Sequence, residues 1–309
     1  MRALCPLVLL AGVVGCADSP SPAPSPAEPT GFDGDVVALG SDDPAVREGA
    51  ARSLEGGGNP ALVACRGALE KGMRDPAREA AVRRIAARLC RDRLLRWWAR
   101  EEYEIREHGQ EIGREIDRAT IRETDSAAGG RWELSAVVRT ARPGAPGVEV
   151  RMTFECADDA VLTPHNGTYH LDRSGRTVSF EFSAPDFVRV DVSGEPAGGP
   201  RRDLTIEPHP APLILAANET RVLEIASLSR VPHFAFRPWS PAGPVARPPV
   251  HEARYVRTGE TSWGNRTVAV RVYEVTTPAG IDRYEISDEF GLVRGSIGTV
   301  AIEKVSPAE

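Results

Sequence analysis

Beyond its first residues this chain has no long apolar run. The best later stretch, Ala211 to Ala217, ends at Asn218, well short of the roughly 20 residues a membrane-spanning helix needs. Clustered basic charge is missing too. Lys and Arg number 38 against 44 Asp and Glu, a formal net charge of -6, which argues against a nucleic-acid partner. No Gly-x-Ser-x-Gly elbow, His-Glu-x-x-His helix, Gly-rich phosphate loop or dinucleotide fingerprint occurs, so the motifs that announce hydrolases, zinc proteases and nucleotide enzymes are absent. The six His do not stand with Cys at zinc spacing. His165 and His170, with Asp172, come nearest to a metal group, provided Asn166-Gly167 is a hairpin turn that brings them together. That spacing is nonspecific. The carboxylate pairs Asp158-Asp159 and Glu101-Glu102 read as solvated acids rather than a catalytic dyad. No catalytic, cofactor-binding or metal-binding residue is expected, and the chain is not expected to be an enzyme.

What is present begins with the leader. Met1-Arg2-Ala3-Leu4 carries one positive charge, an apolar run follows to Val14, and Val13-Val14-Gly15-Cys16 closes it. The run suits a signal-peptide core and is too short to cross a bilayer. This approach to Cys16 resembles the lipobox of bacterial lipoproteins. The resemblance implies that residues 1–15 are removed, that the Cys16 thiol takes a diacylglycerol, and that the new amino terminus is acylated, for example with palmitate. Two or three acyl chains anchor stably where one is marginal. The implied partner is a lipid bilayer at the cell envelope. In that family an Asp directly after the Cys favours the inner membrane; here Ala17 follows and Asp18 comes second, which points to the outer membrane, with the folded part periplasmic or extracellular. The other reading of the leader is an ordinary secretory signal cut after Ala17. Beside a lipobox, the Asn-x-Thr sequons at Asn166, Asn218 and Asn265 read as chance.

Residues 16–35 are dominated by Pro, Ser and Ala and form a tether that buries too little apolar surface to order itself. A period follows. Asp43-Pro44-Ala45, Asn59-Pro60-Ala61 and Asp75-Pro76-Ala77 recur at equal intervals, each with a capping side chain before a Pro suited to the first helical position. Gly56-Gly57-Gly58 would stop the first helix. Val82, Ile85, Ala86 and Leu89 give the third an apolar stripe. Residues 36–95 thereby resemble the helical hairpins of HEAT-like repeats, at most two of them, and two repeats are few for an independent solenoid. Residues 36–98 are taken as the helical unit.

From Tyr103 the period changes to two. Val148, Val150, Met152 and Phe154 alternate with charged and polar residues, as do Val178, Phe180 and Phe182, Val188, Val190 and Val192, and Val268, Val270 and Val272. Such patterns mark strands with one buried and one wet face. Turn signals at His108-Gly109, Pro143-Gly144, Asn166-Gly167, Ser174-Gly175 and Pro278-Ala279-Gly280 separate eight or more strands in an antiparallel meander. One helix is expected within residues 99–309, from Ala216 to Leu228. The fold class is therefore α+β: a short helical unit followed by a curved antiparallel sheet, an open barrel or half-barrel. Tyr103-Glu104-Ile105, Glu111-Ile112-Gly113 and Gly291-Leu292-Val293-Arg294 resemble the curved periplasmic domains of the lipoprotein-carrier type.

Cys65 and Cys90 are expected as buried free thiols, because a hairpin of their two helices leaves them offset by about 10 Å. Trp97-Trp98 stands at the junction of helix and sheet, and two adjacent indoles cannot both face one stripe. They are read as glue between the two parts, or else as a contact for a partner. The expected role is non-catalytic binding or scaffolding at the envelope, with an envelope protein or apolar ligand as partner. A carrier holding a lipid in the concave sheet is the alternative, and a hydrolase without a recognisable motif comes third. Replacing Cys16 with Ser should release the protein from membranes or block its processing; membrane fractionation that finds association and cleavage unchanged would refute the lipid anchor.

Overall fold

The computed structural model describes residues 31–122, 130–141, 146–171, 175–194 and 202–305. Cys16 with its leader, Asp172, Ser174 and Pro143-Gly144 lie outside the described residues. Five helices come first: α1 (Asp33–Ala38), α2 (Pro44–Gly56), α3 (Gly58–Glu70), α4 (Pro76–Leu89) and α5 (Arg91–Trp98). Two of the three Pro-marked starts are capped as their residues dictate. Asp43 accepts from the Ala45 amide at 2.9 Å, and Asp75 from those of Ala77 and Arg78 at 2.9 and 3.3 Å. The middle one differs: α3 begins at Gly58, without a side-chain cap. Pro60 then sits inside the first turn, where its missing amide has no intrahelical acceptor to lose. The helical unit also begins earlier than residue 36, because Val36 and Leu39 belong to the buried core and their helix starts at Asp33.

Fifteen strands follow among the described residues. They are β1 (Glu101–Glu107), β2 (Gln110–Arg122), β3 (Arg131–Thr140), β4 (Val148–Ala157), β5 (Pro164–Leu171), β6 (Arg176–Ala184), β7 (Phe187–Ser193) and β8 (Arg202–Thr205). After these come β9 (Leu213–Leu215), β10 (His233–Trp239), β11 (His251–Trp263), β12 (Arg266–Thr277), β13 (Gly280–Ser287), β14 (Gly291–Ile297) and β15 (Val300–Lys304). They form one sheet in the order β8-β7-β6-β5-β4-β3-β2-β1-β15-β14-β13-β12-β11-β10-β9. Every pairing is antiparallel except that of β9 with β10. The sheet is curved and not closed by hydrogen bonds. Its two ends meet through side chains instead: the Trp239 ring on β10 lies 5.6 Å from Phe180 and 5.3 Å from Phe182 on β6, both edge-on.

The helix expected near Ala216 is α6 (Glu219–Ser229), entered through one 3-10 turn at Ala216–Asn218. Every residue from Arg221 to Ser229 is buried. The helix fills the concave side of the sheet and packs against α3, α4 and β14. Arg230, with φ 60, ends it in the left-handed conformation. The half-barrel is thus filled by its own helix and stoppered by the helical unit.

Register follows the alternation on β4. Met152 and Phe154 are buried while Arg151 and Thr153 are exposed. Glu149 is half-covered on the outer face by Arg139 and Arg151, at 2.6 and 2.5 Å. Two expectations need correction. Asn166-Gly167 is not a turn: both residues lie inside β5, and a side chain at Gly167 would meet Phe154 Cβ at 2.6 Å, so the glycine marks a close approach of neighbouring strands. His165 and His170 consequently lie along one strand. Val268, Val270 and Val272 do not join the main core either. They pack with Trp263, Phe290 and Val293 in a second cluster, while the adjacent Tyr273 and Val275 face α6's side. A bulge between Tyr255 and Arg257 breaks the β11–β12 register, and such bulges bend a strand. The far end of this hairpin reaches back across the outer face, where Trp263 Nε1 donates to the Lys304 carbonyl at 2.8 Å.

Trp98 joins the two parts. It is fully buried, with its ring centroid 4.9 Å from that of Trp132 on β3. Trp98→Ala should lower the unfolding free energy by about 3–5 kcal/mol, measured by chemical denaturation. A loss below about 1 kcal/mol would show that the helices and the sheet do not depend on this contact.

A candidate binding cavity at the start of the buried helix

Alternation decides which side chains of β1 and β2 point inward, and the inward set is unusually polar. Glu101 pairs with Asp117 and Tyr103 with Glu115 across the two strands. On the other side of β1, Tyr103 is paired with Lys304 of β15. From the helix, Arg221 and Glu224 face this set. Four carboxyls therefore share a low-dielectric space with two cations.

The cations settle two of them. Arg221 Nη2 lies 3.0 Å from Asp117 Oδ2, with the two side chains 1% and 5% exposed. Lys304 Nζ donates to Glu101 Oε1 and to the Phe290 carbonyl, both at 2.6 Å. Burial raises both carboxyls, and the partner charge opposes it. The other two carboxyls have no cation of their own. Burial pushes Glu115 and Glu224 up to about 8, so both hold a proton at neutral pH and the buried charges balance. Glu224 is nonetheless oriented: Trp98 Nε1 donates to Oε2 and the Leu292 amide to Oε1, each at 2.6 Å. Gly291 makes this possible, because it has φ +76 and an added Cβ would lie 2.5 Å from Glu224 Oε1.

Where α6 begins, the packing leaves a cavity of about 320 Å³. Glu115 and Asp117 line it from β2, Glu219 from the helix start, His251 from β11, and Asp282 and Tyr284 from β13. Tyr284 Oη donates to Glu219 Oε1 at 2.8 Å, and burial raises this phenol, keeping it neutral. His251 Nδ1 stands 3.4 Å from Glu219 Oε2. Burial also raises Asp282, which accepts from the Gly298 amide at 3.0 Å. The Glu115 carboxyl, holding its proton, donates to Asp117, and His251 Nδ1 lacks a hydrogen-bond partner. An acidic rim is suited to receive hydrogen-bond donors carrying positive charge.

Most residues singled out from sequence lie elsewhere. Trp97 and Trp98 diverge: Trp98 enters the core, whereas Trp97 Nε1 donates to the Glu289 carbonyl at 2.7 Å near the surface. Glu101 is not a solvated acid but the buried partner of Lys304, because its position on β1 faces inward; Glu102 faces outward, 3.0 Å from Arg114. Asp158 accepts from Trp132 Nε1 at 3.0 Å, and Asp159 orders its own loop through Val161 and Thr163. His170 Nδ1 is 3.0 Å from Thr177 Oγ1. Among the described residues no group of three or more His, Cys, Asp or Glu is placed to hold a metal ion. Cys65, Cys90 and Cys156 are buried and free, with burial pushing Cys65 up to about 11 and Cys156 to about 12, so none is a nucleophile at neutral pH.

The protons on Glu115 and Glu224 give stability a definite pH dependence. Both are raised from 4.5 in the ordinary state to about 8 in the fold. Their contribution is complete below about pH 4.5 and is lost as pH rises through about 8, at a rate of at most about 1.4 kcal/mol per unit for each group. Urea titrations from pH 5 to 8 should show this decline, and Glu224→Gln and Glu115→Gln should each flatten it. An unaltered slope in both variants would mean that these carboxyls are ionised in the fold.

No family model matches the chain, and neither does any curated protein. Among solved structures, the chain is similar to a β-barrel-like protein of domain of unknown function DUF1849 from Brucella abortus, at 10% identity and a TM-score of 0.40. The alignment covers 67% of this chain and 94% of that one. A likeness at that level carries no inference about activity.

Proposed function

We propose that the protein is a non-catalytic binding protein of the bacterial envelope, held to a membrane through Cys16, and that its acidic cavity takes a small organic cation. The observation that carries the ligand is the convergence of Glu115, Asp117, Glu219 and Asp282 on that one cavity. An ammonium or guanidinium group there would meet acceptors on Glu115, Glu219 and Asp282. The volume, about 320 Å³, lies at the lower end of small-molecule sites. The lipid-carrier alternative is less well supported, since α6 and large side chains occupy the concave face where acyl chains would lie.

Binding of a cation beside Glu115 favours its ionised form, so a proton should leave as the ligand enters. Affinity for alkyl diamines such as putrescine should therefore rise between pH 6 and 8, and calorimetry in buffers of different ionisation enthalpy should detect proton release. The melting temperature should rise with putrescine and stay unchanged with acetate. Asp117→Asn would leave Arg221 unpaired, so Glu115→Gln is the cleaner variant; it should abolish the proton release. Absence of binding by methylammonium, guanidinium and putrescine alike would overturn the reading.

A further inference from the structure

The outer side of the helix–sheet junction carries a second, chemically opposite site. A groove of about 1000 Å³ runs between α5 and the hairpin end that reaches back over the sheet, lined by Arg93, Arg96, Trp97, Arg100, Trp263 and Phe290 among others. Arg93 and Arg96 share one face of α5, Arg100 follows just beyond its end, and all three are exposed. Arg93 reaches only a backbone oxygen, that of Asp288, at 3.4 Å. Arg96 and Arg100 form no ion pair among the described residues.

The acids nearby are mostly committed. Glu102 is engaged by Arg114 at 3.0 Å and Asp288 by Arg230 at 3.2 Å, leaving Glu289 as the free anion among the described residues lining the groove. The aromatic wall is committed as well. The indole N–H groups of Trp97 and Trp263 are spent on the carbonyls of Glu289 and Lys304, and the Trp263 and Phe290 ring centroids lie 4.6 Å apart. The groove thus offers unpaired guanidinium forks above an apolar aromatic wall.

We infer that this groove binds an anionic phospholipid. Guanidinium groups hold phosphate bidentately, and the aromatic wall suits the glycerol and first methylenes of a lipid rather than a free ion. An acyl anchor at Cys16, with sixteen residues between it and α1, would hold the groove near a membrane surface. The site is distinct from the acidic cavity and does not depend on its ligand.

The purified, lipidated full chain in maltoside detergent should be titrated with dihexanoyl phosphatidylglycerol and with dihexanoyl phosphatidylcholine, read by calorimetry and by tryptophan fluorescence. The anionic lipid should bind at least about tenfold more tightly, and more weakly as salt is raised. Arg96→Glu with Arg100→Glu should reduce that affinity by about tenfold or more with an unchanged melting temperature, and Arg96→Gln with Arg100→Gln should reduce it less. Equal binding of the two lipids, or a double charge reversal that binds like the parent, would overturn the inference. Displacement of the lipid by an equal concentration of inorganic phosphate would do so as well, since the ligand would then be a free anion.

Discussion

The ion pair between Arg221 and Asp117 is the constraint on which the interior depends. An uncompensated charge inside a protein costs several kcal/mol, and removing one member of a buried pair typically costs about 3–5 kcal/mol. Arg221 is 1% exposed on a helix surrounded by sheet, so the sheet must present a carboxylate at that point. Asp117 does so from β2, and β2 can face it only in the register that also turns Glu115 inward. From that single pairing come the other carboxyls, the need for Lys304 to balance Glu101, and the protons held by Glu115 and Glu224.

A filled concavity also relocates the chemistry. A curved sheet around an empty trough would hold an apolar ligand, but α6 brings Val222, Leu223, Ile225 and Leu228 to the core, each no more than 2% exposed. The space that remains lies at the helix start, where side chains are shorter and charges are concentrated. There Glu219 complements the positive helix end, and the surplus of carboxyls is what makes a cation the proposed ligand.

Much of the architecture was legible from periodicity. The helix starts at Asp43 and Asp75, the inward face of β4, the helix near Ala216 and the change of period after Trp98 all follow from local spacing. The cavity was not legible, because its residues come from strands far apart in the chain and meet only through the order β2-β1-β15-β14-β13-β12-β11. Glu115-Ile116-Asp117 reads like an ordinary half-wet strand with its acids outside; register inverts it, and a shift of one residue exchanges the faces. One local signal was available. Arg221 and Glu224 are the charges within Thr220–Ser229, whose other residues are apolar or small hydroxyl side chains, and charges in such a helix must find partners once it is buried. Val268, Val270 and Val272 misled for a related reason: their alternation shows which face is apolar but not which face is covered, and the bulge after Tyr255 supplies a second cover.

The adjacent indoles show how closely the interior and the outer groove are joined. Trp98 points inward and donates to Glu224, while Trp97 points outward and walls the groove. Between them lies Gly291, from which an added Cβ would stand 2.5 Å from Glu224 Oε1 and 3.1 Å from the Trp97 ring. Its φ of +76 disfavours any side chain on backbone grounds alone. Any larger residue would therefore displace the carboxyl from the Leu292 amide, or press Trp97 into the groove, or both. The protonated core and the arginine-lined surface are separated here by one residue without a side chain, so the shape of each is set by the same turn of β14.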